Sequence, residues 1–338
     1  MMVVCGCSMI VRLTNNKGTW SCAETGKGKF VQRLIRAWER MGIVVTQDTD
    51  AKVDIDMQIS KWNYKPKNAR RTVIRRGPCH YDTNMDYKGH NKEDRADLKR
   101  CDGIVFQSDF AMKLHESFIG VDKPRCVIFN GADDYTDVKP WVSEYKYNFY
   151  AGTREWFWEK RLKGIIDSFI VANIPDSKLW IAGQIWDTPR RFPPYQKEFP
   201  KKYKGLPIEF VGQLDDRKIA RMYKMCTAFL HACYIDVCPN AVAEALAANR
   251  PVLCTNVGGQ KELVERTNKS WCLNIDPEYN FKSCDRRNLP KLNKENYAEG
   301  IRMMCDQKWL PEYDVSHVAI ESIAKQYLEF FERILTNG

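Results

Sequence analysis

The sequence has no apolar run that approaches the roughly 18 residues needed by a membrane-spanning helix. Its first residues, MMVVCGCSMIVRL, lack a basic segment before the apolar run and place Arg12 inside it. They therefore predict a first buried strand rather than a secretory signal. Internal repeats and low-complexity tracts are also missing, so repeat architectures and compositionally biased segments are excluded.

The thirteen cysteines form no Cys-x-x-Cys pair, and Cys5 and Cys7 are the one close spacing. Others, such as Cys126, Cys226 and Cys254, lie inside apolar segments. Because zinc ligation favours tighter pairs or histidine partners, no metal site is expected. The cysteines instead predict buried, reduced thiols in a cytoplasmic protein.

Apolar and basic residues are what the sequence has in quantity. With 44% hydrophobic and 12% aromatic residues it can bury substantial cores, and a length of 338 residues predicts about two domains. The formal net charge of +10 favours anionic partners. Nucleotide phosphates, an anionic membrane surface and nucleic acid are the three alternatives.

Short apolar segments alternate with helical periodicity along the chain. This alternation predicts an α/β protein with two doubly wound, Rossmann-like domains, each built on a parallel sheet with crossover helices. Strands are predicted at 8–13, 43–46, 53–59, 72–74, 103–107, 126–129, 147–152, 178–182, 208–212, 228–231 and 252–255. The main helices are predicted at 29–41, 93–100, 110–119, 162–172 and 315–335.

A polar segment that contains Pro140 divides the two halves and predicts an interdomain linker. The last helix is apolar on one side, which predicts that it packs on a domain. The predicted parts are a first domain at 1–137, a linker at 138–146, a second domain at 147–312 and a C-terminal crossover helix at 313–338.

The most informative segment is YIDVCPNAVAEALAANRPVLCTNVGGQKELV, residues 234–264. Asp236 lies in a loop, and Glu244 falls one turn inside a helix that Pro239 or Asn240 can start. Carboxylates on both sides of a helix start suit a ligand with hydroxyls and a central phosphate, since helix amides attract phosphate and carboxylates accept from sugar hydroxyls. An ordinary strand–helix unit with solvated charges is the alternative.

This segment resembles the donor-binding signature of family-four retaining glycosyltransferases with the GT-B fold, in which two acids are separated by seven residues. An Arg-Pro-Val strand and a Gly-Gly turn follow, as in that family. Three other segments also resemble the family, and Tyr223 stands at one of its tyrosine positions. These segments are 101–110, 129–133 and 210–215. The resemblance covers nearly the whole chain and implies two domains that face each other across a cleft, with the last helix packing back toward the first domain.

By this resemblance, Glu244 is expected to hold the ribose hydroxyls of a nucleoside diphosphate sugar, and Asp236 to hold the hydroxyls of its sugar. The start of the helix is expected to contact sugar and phosphate, and the ends of neighbouring strands to contact the base. The further donor-binding residues so implied are Pro239, Asn240, Ala241, Gly183, Gly212 and Gln213.

Residues 150–164 resemble the element in which the family holds the diphosphate with an Arg and a Lys. Fixed cations or a metal are needed there because negative charge grows on the leaving diphosphate. Arg154 and Lys163 are expected to supply them. The inserted residues 155–159 place these two nine positions apart, so Arg161 is an alternative to Arg154. A surface cluster without function is the other reading, although a helix start disfavours idle cations.

The acceptor side is expected in the first domain. Gly26 and Gly28 follow the first strand and resemble the family's glycine-rich loop, although a plain turn is the alternative; the segment matches neither a Walker A loop nor a dinucleotide fingerprint. His80 and Asp82 follow a strand where the family has a residue close to the reacting sugar. Both are candidate catalytic residues, with a structural role as the alternative.

The helix at 29–41 has four basic residues on one face: Lys29, Arg33, Arg36 and Arg40. In this family such basic amphipathic faces dock to anionic membranes. An ordinary solvated face above a core-facing stripe is the alternative.

Taken with the resemblance, the residues predict a retaining hexosyltransferase that uses a UDP-, GDP- or dTDP-sugar, without a metal or other cofactor. The acceptor is a hydroxyl of a glycan, a lipid-linked or a protein-linked substrate. A cytoplasmic location is expected, with peripheral contact to an anionic membrane left open and no nucleic acid. The alternatives are a catalytically silent nucleotide-sugar-binding protein on the same fold and a basic nucleic-acid-binding protein.

Overall fold

The computed structural model describes residues 9–14, 26–59, 66–120, 122–185, 193, 196–267, 271–305 and 314–336. The chain divides into two compact units. The first unit comprises residues 1–81, 85–131 and 320–338, and the second comprises residues 82–84 and 132–319.

The first unit is built on a parallel six-stranded sheet with the strand order β2-β1-β3-β4-β5-β6. Its strands are β1 (Ile10–Thr14), β2 (Val44–Thr46), β3 (Val53–Ile59), β4 (Ala69–Arg76), β5 (Gly103–Phe106) and β6 (Arg125–Val127). Its helices are α1 (Gly26–Arg40), α2 (Tyr87–Arg100), α3 (Asp109–Phe118) and the last helix of the chain, α10 (Ile320–Thr336). The central strands β3 and β5 are buried along nearly all their length, as is usual in parallel sheets, where helices cover both faces.

The helix α10 packs on α1 through aromatic side chains. Trp38 lies edge-on to Tyr327 with ring centroids 5.9 Å apart, and Phe331 lies 5.7 Å from the same indole. The indole N–H of Trp38 also donates to the carbonyl of Ala324 at 3.1 Å. The C-terminal helix therefore returns to the first unit, as predicted, although it begins at Ile320 rather than Val315.

The second unit has a parallel six-stranded sheet with the order β12-β11-β10-β7-β8-β9. Its strands are β7 (Tyr147–Glu155), β8 (Ser177–Gln184), β9 (Ile208–Gly212), β10 (Ala228–His231), β11 (Val252–Thr255) and β12 (Trp271–Leu273). Its helices are α4 (Leu162–Ala172), α5 (Phe199–Lys202), α6 (Asp216–Met225), α7 (Asn240–Ala247), α8 (Gly259–Glu265) and α9 (Lys294–Met303). The order of the strands reverses between β7 and β10, which is the switch point where ligands bind in open α/β sheets.

The two parallel sheets confirm the predicted doubly wound α/β class. Strands predicted at 53–59, 208–212, 228–231 and 252–255 match at both ends. The strand β12 has no counterpart in the prediction. The helix α2 begins at Tyr87 instead of Glu93, because the Asp86 side chain caps it by accepting from the Gly89 N–H.

The basic face predicted for α1 is interrupted at Arg33, so the expectation of a solvated face is wrong at that one of its four positions, whereas Arg40 is exposed. Arg33 is buried and donates to the carbonyl of Gly131 at 3.5 Å. Arg40 forms an ion pair with Glu321 of α10 at 2.5 Å. Among the helices that the structure describes, none combines the length and the apolar character that a bilayer crossing requires.

Candidate functional site

The candidate site lies in the second unit, where β7, β10 and β11 end beside one another. The chain leaves β7 through a 3₁₀ turn at Trp158–Lys160 and enters α4 after Arg161. It leaves β10 through residues 232–239 and then forms α7. The carboxyl ends of these parallel strands therefore bring side chains from distant parts of the sequence to one edge of the sheet.

Asp236 and Lys160 form an ion pair at this edge. The Lys160 Nζ lies 2.5 Å from the Asp236 Oδ2, and each side chain is less than a fifth exposed. The attraction between the two charges changes their pKa values more than burial does. Burial alone would raise the pKa of Asp236, but the positive charge of Lys160 holds it below its usual value. Burial alone would lower the pKa of Lys160, but Asp236 raises it, so both groups are charged at neutral pH.

The backbone around Asp236 has an unusual conformation. Ile235 adopts a positive φ of 62°, which is rare for a β-branched residue. Asp236 then pairs with Gly258 in an isolated bridge, and its carbonyl accepts from the Gly259 N–H at 2.7 Å. Gly258 has a φ of 113°, and a Cβ there would lie 2.5 Å from the Asp236 carbonyl oxygen. The Gly-Gly turn noted in the sequence is thus what allows the Asp236 backbone to approach.

Glu244 lies in α7 and is buried, with 8% of its surface exposed. The Tyr223 hydroxyl donates to its Oε2 at 3.2 Å. Burial and the charge of Glu244 raise the pKa of Tyr223, so this hydroxyl remains a donor. Glu244 is therefore an oriented carboxylate one turn inside the helix, as the sequence predicts.

The start of α7 follows the predicted pattern with one change. Pro239 takes the N-cap position, and Asn240 is the first helical residue. The N-cap makes no side-chain hydrogen bond, so Asn240 does not serve as the capping residue that its type allowed. Ala241 follows inside the first turn, where the positive end of the helix dipole lies.

The side chain of Arg161 is buried and connects several elements of the fold, whereas Arg154 and Lys163 in the same segment are exposed. Its guanidinium makes a two-pronged ion pair with Asp276, at 2.6 and 2.7 Å. It also donates to the Ala232 carbonyl at 2.5 Å and to the Thr255 hydroxyl at 3.1 Å. Arg161 thus ties the ends of β10 and β11 to the segment after β12.

Arg154 and Lys163 lie on the surface of the second unit. Arg154 is exposed near the end of β7, and Lys163 is exposed in the first turn of α4, where it pairs with Asp167. The inserted residues 155–159 are built into the fold, since Trp156 is buried and donates to the Ala182 carbonyl at 3.1 Å. Lys160, at the end of this insertion, is the lysine that reaches Asp236.

The three residues expected near the base lie at the ends of β8 and β9. Gly183 has a φ of 120°, and a Cβ there would lie 2.0 Å from the Thr153 carbonyl oxygen, so only glycine fits. Gly212 ends β9 with a φ of 68° and open space around it. Gln213 follows and is exposed.

The acceptor-side candidates are divided between the units. Gly26 and Gly28 open α1 in the first unit. His80 also belongs to the first unit, where its Nε2 lies 3.9 Å from the Asp94 Oδ2 and its ring is tilted against that of His90, with centroids 4.8 Å apart. Asp82 belongs to the second unit, and its carboxylate accepts from the Asn84 N–H at 3.0 Å.

Asp82 has the contacts of a structural residue. Its Oδ1 also accepts from the Asn84 side chain at 2.9 Å, and Asp82 pairs with Cys284 in an isolated bridge. These bonds hold the short segment 82–84 on the loop that contains Cys284 and Asp285.

Sequence reasoning missed three residues of the site: Lys160, His231 and Cys233. Lys160 was hidden because the insertion shifts the lysine away from its expected spacing before Gly164. His231 ends an apolar strand and Cys233 follows it, and they precede Asp236 by five and three positions. Their signal was this spacing alone, because nothing in the sequence shows that the chain folds back on Asp236.

Comparisons with known proteins bear on this geometry. Residues 136–278 match the model of the family described as glycosyl transferases group 1. The matched segment contains Lys160, Asp236, Glu244 and Asp276, and so most of the site. No curated protein sequence is significantly similar to the chain.

Solved glycosyltransferase structures share the fold at low sequence identity. Sucrose-phosphate synthase from Thermosynechococcus elongatus is 13% identical, with 98% of this chain and 97% of that chain covered and a TM-score of 0.65. A glycosyltransferase from Rickettsia africae is 13% identical, with 98% and 100% covered and a TM-score of 0.62. Anabaena HepE, solved in complex with UDP, is 13% identical, with 96% and 100% covered and a TM-score of 0.61. The predicted GT-B fold is therefore confirmed.

Proposed function

We propose that the chain is a retaining hexosyltransferase that takes a hexose from a nucleoside diphosphate sugar. The observation that carries the proposal is the set of charged groups around the start of α7: the Asp236–Lys160 pair before the helix and the buried Glu244 within it. The match of residues 136–278 to group 1 glycosyl transferases supports the same reading.

In this proposal each group has a part that suits its chemistry. Glu244 accepts hydrogen bonds from the ribose hydroxyls, and Asp236 accepts from hydroxyls of the transferred sugar. The amides at the start of α7 face the diphosphate, which the positive end of the helix dipole favours. Pro239, Asn240 and Ala241 supply the backbone there, while Gly183, Gly212 and Gln213 contact the base.

Lys160 is the best placed cation for the leaving diphosphate, because Asp236 holds it at the sheet edge. Its positive charge stabilises the negative charge that grows on the phosphate as the sugar leaves. Lys163 and Arg154 remain proposed partners at longer range. With cations in this role, we propose that the reaction needs no metal or other cofactor.

The acceptor hydroxyl attacks the face of the sugar that the diphosphate leaves, and a phosphate oxygen takes its proton. Retention of configuration follows from this geometry. Gly26, Gly28, His80 and Asp82 remain the proposed acceptor-side residues. The bound UDP of Anabaena HepE makes UDP-sugars the first donors to test. A glycan, a lipid-linked or a protein-linked hydroxyl is the proposed acceptor, and a cytoplasmic protein with peripheral membrane contact is the proposed setting.

The test is donor binding by the purified chain. UDP-, GDP- and dTDP-sugars are screened by thermal shift, and titration calorimetry then gives the affinity of the best donor. Glu244→Gln removes a charged hydrogen-bond acceptor, so binding should weaken by at least about tenfold. Glu265→Gln on the exposed surface of α8 is the matched control and should bind normally.

A second pair of variants separates the two lysines. Lys160→Met should lower the transfer or hydrolysis rate far more than Lys163→Met, because Lys160 alone reaches Asp236 in the described structure. The anomer of the product, read by NMR, tests retention. If no nucleotide sugar binds to the wild-type chain, the proposal is wrong; binding without turnover would favour the silent binding protein.

A further inference from the structure

Three side chains with different donor atoms converge beside the Lys160–Asp236 pair. A ring nitrogen of His231, the Sγ of Cys233 and a carboxylate oxygen of Asp236 all lie within 4.8 Å of one another. We propose that these three residues form a binding site for a divalent transition-metal ion such as Zn²⁺ or Co²⁺, and that the ion blocks the site rather than serving the reaction.

The donor set fits this class of ion. One imidazole nitrogen, one thiolate and one carboxylate oxygen are ligands that Zn²⁺ takes, with a fourth position for water. Hard ions such as Mg²⁺ prefer oxygen alone and are not expected to bind. Ligand atoms around tetrahedral zinc lie about 3.3–3.8 Å apart, so the three groups must close by at most about 1.5 Å. Because the Asp236 backbone is fixed by its bridge to Gly258, this closure has to come from the side chains.

His231 is a ready ligand. It is 6% exposed, and its Nε2 is buried without a hydrogen-bond partner among the residues that the structure describes. A buried polar atom without a partner is unusual and calls for an explanation such as a bound ion or water. Burial, and then the charge of Lys160, lower the pKa of His231 to about 3, so the ring is neutral and has a lone pair to offer.

Cys233 supplies the selectivity for softer ions. Its thiol is fully buried, and its Sγ has one weak contact, to the Tyr234 carbonyl at 3.8 Å. On ligation the S–H bond breaks, the sulfur–metal bond forms, and the proton leaves to solvent. No electron is transferred, so the step needs no oxidant or reductant.

The positive charge of Lys160 opposes ion binding, so replacing Lys160 should increase the affinity for the ion. The Lys160 Nζ already contacts the Asp236 carboxylate at 2.5 Å, and two positive charges cannot share that carboxylate without repulsion. The ion must therefore displace the ammonium group. Removing the lysine charge should tighten ion binding, which a structural role of His231 and Cys233 would not produce.

The consequence for transfer rests on the proposed function. If Asp236 and Lys160 hold the donor, an ion bound to Asp236 occupies that carboxylate and displaces Lys160. The donor and the ion then compete for the same site. The ion site itself does not depend on that function.

Cobalt binding to the purified, reduced chain tests the site. Co²⁺ is titrated in, with the thiolate-to-cobalt charge-transfer band as the signal, and Zn²⁺ is then added as a competitor. We expect a single thiolate band that Zn²⁺ removes and Mg²⁺ does not. His231→Gln and Cys233→Ser should weaken Co²⁺ binding by at least about tenfold, and Cys233→Ser should abolish the band. Lys160→Met should tighten binding by about tenfold or more.

Cys226→Ser is the matched control, because Cys226 is another buried thiol of the same unit whose pKa is also raised to about 12. It should leave the titration unchanged, and thermal unfolding of every variant checks that each is folded. A Co²⁺ band that survives Cys233→Ser, or a Lys160→Met variant that binds no more tightly, would overturn the ion site. If the ion binds as expected and no nucleotide sugar does, the proposed function alone is wrong.

Discussion

Ile235 carries backbone strain next to the site. Its positive φ of 62° costs a β-branched residue free energy that a neighbouring contact has to offset. The isolated bridge between Asp236 and Gly258, with the hydrogen bond from Gly259, is the contact in the right place. The conformation that presents the Asp236 carboxylate therefore depends on two glycines 22 and 23 positions later in the sequence.

Gly258→Ala tests this dependence. The new Cβ would lie 2.5 Å from the Asp236 carbonyl oxygen on a backbone with a φ of 113°. We expect a loss of unfolding free energy that exceeds the loss in Gly205→Ala by at least about 1 kcal/mol. Gly205 also has a positive φ, 91°, but open space around it, so the pair isolates the close contact. Urea denaturation gives both values, and equal losses would contradict the role of Gly258.

At the scale of single residues, the sequence predicted the positions of Asp236 and Glu244 but not the side chains that they contact. Glu244 and Asp236 could be placed because a helix start and a strand end are local signals. The pairing of Asp236 with Lys160 joins residues 76 positions apart, and no local pattern in the sequence indicates it. No local pattern indicates that Asp82 belongs to the second unit either, because that follows from its contacts with residues 284–285.

The helix α10 is the element on which the first unit depends most visibly. Its apolar side contributes Tyr327, Phe330 and Phe331 to the interior, each 2% exposed or less. Arg40 and Glu321 add an ion pair at the surface, where such pairs contribute little. Burial of the aromatic side chains therefore holds α10 in place.

Phe331→Ala should lower the free energy of unfolding by about 3–5 kcal/mol, because it leaves a cavity against Trp38. Hydrogen exchange of the α1 amides should rise in parallel, which would localise the effect to the first unit. Glu332→Ala, at an exposed position of the same helix, should change stability by less than about 0.5 kcal/mol. A Phe331→Ala variant as stable as wild type would show that α10 is dispensable for this packing.

The elements that the sequence predicted best are buried strands. β3 and β11 are continuous apolar or alternating runs bounded by turn residues, so their limits are local. β12 was missed because it has three half-buried residues at the edge of its sheet and no periodicity to detect. The pairing order of the strands also follows from long-range packing and not from any short segment.

Over the whole molecule, each unit holds a histidine that is neutral when folded. Burial lowers the pKa of His115, in the first unit, to about 4, and its Nε2 lies 2.8 Å from the Gly77 carbonyl oxygen. Burial also lowers the pKa of His317, in the second unit, whose Nε2 lies 3.0 Å from the Leu263 carbonyl oxygen.

These histidines predict a loss of stability in mild acid. A histidine titrates near 6.5 when unfolded, so below that pH the unfolded chain binds protons that the folded chain does not. Above pH 6.5, protonation of His115 is therefore not expected to reduce the free energy of unfolding. From pH 6.5 down toward pH 4, His115 should lower that free energy by about 1.4 kcal/mol per pH unit. Thermal unfolding between pH 7.5 and pH 5.5 measures the slope. His115→Gln can still donate to Gly77 but does not titrate, so it should reduce the slope by the share of His115 and leave the share of His231 and His317. An unchanged slope would rule His115 out as a source.

The discontinuity of the first unit has a consequence for how the chain is made. The ribosome finishes residues 1–131 and then synthesises 132–319 before any residue of α10 exists. At about 5–20 residues per second, those 188 residues take about 10–40 seconds. Throughout that interval the face of α1 around Trp38 lacks its aromatic cover. At its end the second unit has all of its sequence and can fold first. We therefore expect a chaperone that binds nascent chains to contact the exposed apolar face of α1, in the part of the chain that is synthesised first.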